Sequence, residues 1–114
     1  MVTKASRVPK RIPDDRVFRA IADPTRRSIL QLLSVQSYSV GDLASKFRVS
    51  RPAISKHLRL LREVGLVTDK PRGTTTMCEL DAEPLQTIDN WLNNYKRFWD
   101  RSLLSLKAHV EKQK

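Results

Sequence analysis

A mainly α fold with a small β-hairpin, in the order α-α-α-α-β-β-α, is what this sequence predicts, and three observations predict it. Two short amphipathic segments, each opened by a capping serine, follow one another with only Arg48 and Val49 between the first and the cap of the second. After Gly65 the helical period gives way to the β-branched runs "LVTDK" and "TTTMCEL" around a "PRG" turn. Beyond Asp81, apolar residues return at steps of three and four and hold that rhythm for about 26 residues, roughly 39 Å of helix.

Residues 1–13 are basic, with Lys4, Arg7, Lys10 and Arg11 among Pro9 and Pro13, and have no hydrophobic period. That pattern describes a flexible arm, which either follows a nucleic-acid backbone or serves as a solubilising tail. Residues 14–114 are then expected to form one domain, since a chain of 114 residues has material for one modest core. "DDRVFRAIA" brings Val17, Phe18, Ala20 and Ile21 to near-helical spacing for a short first helix. In "DPTRRSILQLL", Asp23 can accept from free backbone N–H groups and Pro24 fits the first turn, so a second helix should bury Ile29, Leu30, Leu32 and Leu33.

The third segment, "SVGDLASKF", carries Ser39 and Asp42 in capping-box spacing, and its Val40, Leu43, Ala44 and Phe47 suit a helix packed on the second. The fourth begins at the cap Ser50, runs to about Val64 and stops at Gly65, the residue best able to turn left-handed after a helix end. Two helices joined this tightly make a helix-turn-helix, and the hairpin after them makes it a winged helix-turn-helix. Asp81 is expected to cap the last helix, about residues 82–112, with its seam at Leu85, Ile88, Leu92, Tyr95, Trp99, Leu103, Leu106 and Val110 and a flanking stripe of Trp91 and Phe98. A domain this small cannot cover about seven helical turns alone, so this helix, with Phe18 and Ile21 of the first, is expected to form a two-fold homodimer interface.

The charge is strongly one-sided. Twenty-two Lys and Arg against 12 Asp and Glu leave a formal net charge of +10, which makes nucleic acid the first expected partner and an anionic membrane surface the second. No stretch approaches the ~20 apolar residues of a bilayer span, no signal-peptide core is present, and the single cysteine cannot form an intramolecular disulfide. A cytoplasmic, membrane-free setting is expected. Between Arg48 and Arg72, seven basic residues stand against two acidic ones.

At about 100° per residue, Arg51, Arg62, Ser55, Arg59, Pro52, Glu63 and Lys56 share one arc of the fourth helix, and Leu60, Ala53, Val64, His57, Leu61, Ile54 and Leu58 share the other. A solvated face usually mixes signs to form i,i+4 pairs, whereas this one sets four cations against Glu63 alone. The imbalance suits phosphate, and arginine or lysine can also reach guanine O6 and N7 in a major groove about 12 Å wide. His57 lies within the apolar arc, where packing and a hydrogen bond to nearby backbone are expected, with direct nucleic-acid contact as the other reading. Cys78 alternates with Thr76 and Leu80 and is expected to be a buried small hydrophobe rather than a redox sensor. His109, near the end of the last helix, suits an exposed position favoured by the helix dipole.

The segments "FRAIADPTRRSILQLL", "SVGDLASKF", "SRPAISKHLRLLREVGLV" and "CEL" together resemble the ArsR-type winged-helix transcriptional repressors. The closing "LNNYKRFWDRSLLSLKAHV" is more similar to the autorepressor-like subgroup than to the metal sensors. The resemblance implies a bacterial, cytosolic homodimer that represses transcription from an inverted-repeat operator of double-stranded DNA, its own promoter included. It further implies DNA contacts by Ser50, Arg51, Pro52, Ser55, Lys56 and Arg59, phosphate contacts by Arg48 and Arg62, and backbone or minor-groove contacts by Lys70, Arg72, Thr74 and Thr75 of the wing.

Metal sensing is not expected. Ser39 and Gly41 stand where soft-metal sensors carry two cysteines, and Asp89 is followed by Asn90 and Trp91 where a second family site has an Asp-x-His pair. No cofactor and no enzymatic activity are expected either, because the chain lacks a phosphate-binding glycine loop, a Gly-x-Ser-x-Gly, a His-Glu-x-x-His and a Cys/His cluster. The alternative reading of the same features is an architectural module that binds DNA without sequence choice, or a winged-helix module for a protein partner.

Overall fold

A computed structural model describes residues 15–112, with side chains to residue 100. The basic arm at residues 1–13, and the side chains of Leu103, Leu106, His109 and Val110, lie outside the described residues. The fold is mostly helical with a small antiparallel sheet, as expected, but the sheet has three strands rather than two.

Helices α1 (Asp15–Ala22) and α2 (Pro24–Leu33) meet at Asp23, whose Oδ2 accepts from the Arg26 backbone N–H at 3.0 Å. Pro24 takes the first helical position, where a missing N–H leaves nothing unsatisfied. A two-residue strand, β1 (Tyr38–Ser39), precedes α3 (Val40–Ala44), and Ser39 closes the one and caps the other: its Oγ accepts from the Asp42 N–H at 3.1 Å.

Helix α3 is shorter than "SVGDLASKF" suggests. Ser45 Oγ donates back to the Asp42 carbonyl at 2.6 Å, and Lys46 and Phe47 donate to Leu43 and Ala44 in tight three-residue steps that end the helix. Phe47 therefore packs from the turn, and residues 45–49, not Arg48 and Val49 alone, connect α3 to the next cap. Five helical residues present one narrow face. The closest neighbours of α3 are accordingly the following helix and the sheet rather than α2.

Helix α4 (Arg51–Glu63) starts where expected, with Ser50 Oγ accepting from the Ala53 N–H at 3.3 Å. It ends in a Schellman turn: Gly65 donates to the Arg62 carbonyl at 3.0 Å and Leu66 to that of Leu61 at 2.9 Å, with Gly65 at φ +80°. Leu66 and Leu61, brought together by that turn, are both fully buried.

Strands β2 (Val67–Arg72) and β3 (Thr75–Leu80) form the wing, and the sheet order is β1-β3-β2. The "PRG" turn is displaced by two residues, because Pro71 and Arg72 pair with Thr76 and Thr75 and leave Gly73 and Thr74 as the loop. Gly73, at φ +62°, supplies the positive φ that a two-residue hairpin requires at its first position. Arg72 and Thr75 close the loop as a hydrogen-bonded pair, so Pro71 falls in the next, non-hydrogen-bonded pair of an edge strand, where it has no N–H to lose.

Asp81 caps an earlier turn than expected. Its Oδ1 accepts from the Glu83 N–H at 3.0 Å, the chain turns through Pro84, and α5 (Leu85–Lys112) begins only there. The core joins Ile29, Leu30 and Leu33 of α2, Leu43 of α3, Ile54, Leu58 and Leu61 of α4, and Leu66, Val67 and Cys78 around the sheet. Leu85 packs on that core, while Trp91 of α5 meets Phe18 of α1 edge to face at 5.3 Å.

Replacing Gly65 tests the α4 terminus, since a Cβ there has room, its nearest neighbour being Pro84 at 3.5 Å, yet is held at positive φ. Gly65→Ala is expected to cost about 1–2 kcal/mol in urea unfolding, with Gly65→Asn recovering part of the loss.

Candidate nucleic-acid interface

Helix α4 is divided as its angular pattern predicts. Ile54, Leu58 and Leu61 are completely buried, whereas Arg51, Pro52, Ser55, Lys56 and Arg59 are exposed, and Arg48 and Ser50 are exposed at the approach to the helix. None of the four cations Arg48, Arg51, Lys56 and Arg59 is drawn into an ion pair with a described acidic side chain. The Ser50 Oγ is occupied as the cap acceptor and retains its O–H for donation. The Arg51 guanidinium lies across α3, within 3.7 Å of the place where Gly41 would carry a Cβ.

On the wing, Lys70, Arg72, Thr74 and Thr75 are all exposed, clustered about the hairpin end. The interface thus has a helical part and a hairpin part on one small domain, both rich in cations.

Arg62 stands apart from this group. Its Nε lies 3.0 Å from Asp69 Oδ2 of β2 and its Nη2 donates toward Cys78 Sγ at 3.7 Å, so the side chain ties the end of α4 to the wing. The angle explains the difference: Arg62 sits at the border of the polar arc, adjacent to Leu58, and an acidic partner seven residues away is within its reach. Burial is the largest cause that pushes the Cys78 thiol above its ordinary pKa; the Arg62 charge opposes it and Asp69 reinforces it.

His57 also differs from expectation. It is half-buried among the apolar residues, but its partners are side chains rather than backbone: Nδ1 lies 3.3 Å from Arg26 Nη1 and 3.9 Å from Asp23 Oδ2. The two contacts make opposite demands on Nδ1, because arginine can only donate and a carboxylate can only accept. The shorter is within hydrogen-bond reach and the longer is not, so the geometry favours Nδ1 as the acceptor from Arg26. The Arg26 backbone N–H is the first cause holding Asp23 below the ordinary carboxylate range; burial opposes it, and the His57 charge, present when the ring is protonated, and the Arg26 charge add to the lowering.

Neither Arg26 nor the Arg62–Asp69 pair was legible as a site. Arg26 and His57 are 31 residues apart, and only the fold brings them together.

The expected pairing face divides along α5. Phe18 is engaged with Trp91, and Ile21 and Leu85 pack on the core, while Ile88 and Leu92 are half-buried. Farther along, Tyr95, Phe98 and Trp99 are exposed at 44%, 61% and 44%. Among the described residues no group of His, Cys, Asp and Glu could hold a metal ion, and no helix is long and apolar enough to cross a membrane.

A cation-faced helix, buried on its other side and followed by a cationic two-residue hairpin, defines the class of winged helix-turn-helix DNA-binding regulators. Residues 23–69 match the family model described as bacterial regulatory protein, arsR family. The chain is 43% identical over 89 residues to the HTH-type transcriptional regulator Rv2034 of Mycobacterium tuberculosis, covering 78% of this chain and 80% of that one. It is 39% identical over 87 residues to the transcriptional repressor SdpR of Bacillus subtilis, covering 76% and 97% respectively. An ArsR-like transcriptional regulator from Rhodococcus sp. RHA1 superposes with a TM-score of 0.68 at 34% identity, covering 86% of this chain and 90% of that one. The chain belongs to the ArsR family and is a DNA-binding transcriptional regulator, not an enzyme.

Burial and the raised pKa both work against thiolate formation at Cys78. The folded protein should resist a thiol-labelling reagent at neutral pH and label rapidly in urea; fast labelling of the folded protein with loss of DNA binding would establish a redox role instead.

Proposed function

We propose that this chain is a cytoplasmic homodimeric repressor that reads an inverted-repeat operator with α4 and holds the DNA backbone with its wing. The observation that carries the reading is the unpaired cationic outer face of α4. Arg51, Ser55, Lys56 and Arg59 take the base edges and nearest phosphates, with Ser50 and Pro52 lining the entry to the groove. Arg48 and, from the wing, Lys70, Arg72, Thr74 and Thr75 hold phosphate or the minor groove. Arg62, held by Asp69, supports the wing rather than competing for phosphate.

The pairing surface in this proposal is α5 with α1. Tyr95, Phe98 and Trp99 form an exposed aromatic patch larger than isolated surface residues require, and a two-fold axis through α5 would cover it while setting the two copies of α4 about one duplex turn, ~34 Å, apart. Repression is steric, by occupation of a promoter; the similarity to a relative named as a repressor supports that direction over activation.

Selection of bound duplexes from a random pool tests the proposal, with an inverted repeat as the expected product. Arg59→Ala should weaken the selected duplex by about 1–3 kcal/mol and relax its sequence choice, whereas Arg72→Ala should weaken selected and random duplexes alike and lower the salt slope by about 1. An even smear over random DNA, or equal effects of both substitutions on both duplexes, would favour the architectural module. Sedimentation at micromolar concentration should give a dimer, and Trp99→Glu should shift it toward monomer; a wild-type monomer would remove the pairing proposal.

A further inference from the structure

We propose that Arg26 is a positioning residue for DNA reading: its guanidinium ties the α1 end of the pairing face to α4 by donating to Nδ1 of His57. The proposal rests on the reading of α4 as the DNA-reading helix.

The geometry is a three-way link. Arg26 Nε donates to the Ala20 carbonyl at 2.7 Å and Nη2 to the Arg19 carbonyl at 2.8 Å, both in the last turn of α1. Those carbonyls are among the acceptors that a helix end leaves without intrahelical partners, and the negative end of the helix dipole favours a cation there. The remaining nitrogen, Nη1, reaches His57 at 3.3 Å, in the second turn of α4. Arg26 is itself placed by its backbone N–H on the Asp23 cap. One side chain therefore fixes the end of α1, the start of α2 and the underside of α4 relative to one another.

The link conducts position because α1 is also attached to α5, through the Phe18–Trp91 contact. Lys56 lies next to His57 in sequence, and Arg59 two residues on, so a rotation of α4 about this point swings both. Among the described residues, other charged groups also face α4. α1 brings Arg16 and Arg19 to Leu60, Glu63 and Val64 one turn farther along, α3 meets α4 at Arg51, and β2 brings Asp69, which Arg62 occupies.

Protonation of His57 would place a donor on Nδ1 against the Arg26 donor, with Asp23 Oδ2 at 3.9 Å as the alternative acceptor. The link then breaks in favour of a different contact. The added charge would by itself strengthen attraction to any duplex, so a loss of sequence preference in acid has the opposite sign to simple electrostatics.

The full chain is compared with His57→Leu, which keeps apolar packing and deletes the acceptor, and His57→Asn, whose amide oxygen stands near the Nδ1 place and does not titrate. At about pH 8, His57→Leu should lose about tenfold of the preference for the selected duplex over a random one, and His57→Asn should lose little. As acid protonates the His57 ring, followed by its own NMR signal, the wild-type preference should fall several-fold while that of His57→Asn stays flat. In the free protein, the Arg26 Nε–H NMR signal should titrate with the His57 ring and should not titrate in His57→Asn. Full preference in His57→Leu, or a wild-type preference that does not change with pH, overturns the proposal. A wild type with no preference for any duplex sinks the sequence-reading proposal above instead; the NMR titration then decides the link, and an Arg26 signal indifferent to His57 overturns it.

Discussion

Helix α4 has to be held almost wholly from its buried side. Its outer face carries Ser55, Lys56 and Arg59 into solvent while Arg51 leans across α3, so that face does little to orient the helix in the free protein. Orientation comes from Ile54, Leu58 and Leu61, each with no exposed surface. Full burial of such a side chain is worth about 1.5–3 kcal/mol relative to leaving it in water, so these three anchor the helix against the mutual repulsion of its cations. Helix α2, α3 and the sheet are arranged to supply the surface those three residues need.

Apolar burial fixes depth better than angle, because contacts of this kind are non-directional. Directional bonds supply the angle at two places on α4. Arg26 meets His57 partway along the buried side, and Arg62 meets Asp69 at the end, carrying the wing with it. Both pairs are partly solvent-exposed, where ion pairs and polar contacts contribute little net stability. Their value lies in geometry: a loop-borne wing and a groove-reading helix keep their relation only if something polar and specific joins them.

What the sequence made legible follows from how locally each feature is encoded. Both serine caps, the Asp23–Pro24 start of α2 and the glycine stop of α4 are settled within six residues, and all four stand as expected. The two-sided character of α4 was likewise legible from 14 positions at helical spacing. Strand β1 was not, since two residues carry no period and Tyr38 and Ser39 become a strand only beside Cys78 and Met77. Pro71 read as a turn because its permissive position, a non-bonded pair on an edge strand, is defined by a register that depends on β3. The early end of α3 came from a serine bonding backward, which composition does not distinguish from a helical serine. The side-chain partners of His57 and Arg62 were out of reach for the same reason: one is supplied by α2 and the other by β2.

The long last helix brings a different demand. At about 1.5 Å per residue its 28 residues extend roughly 42 Å, far more than the small domain can line. Its first turns are secured by Leu85 and by Trp91 on Phe18, and beyond them the aromatic residues emerge into solvent. If that length is a pairing surface, as proposed, it must do more than hold two copies together, because two helices reading one duplex are useful only at the spacing of the grooves. The path from pairing surface to reading helix runs through few residues: Trp91 to Phe18, along α1 to the Ala20 and Arg19 carbonyls, through Arg26 to His57. The first step is an edge-to-face ring contact and the last are directional hydrogen bonds of one guanidinium. A shift at the α5 end would therefore reach the grooves through the Arg26 link between α1 and α4.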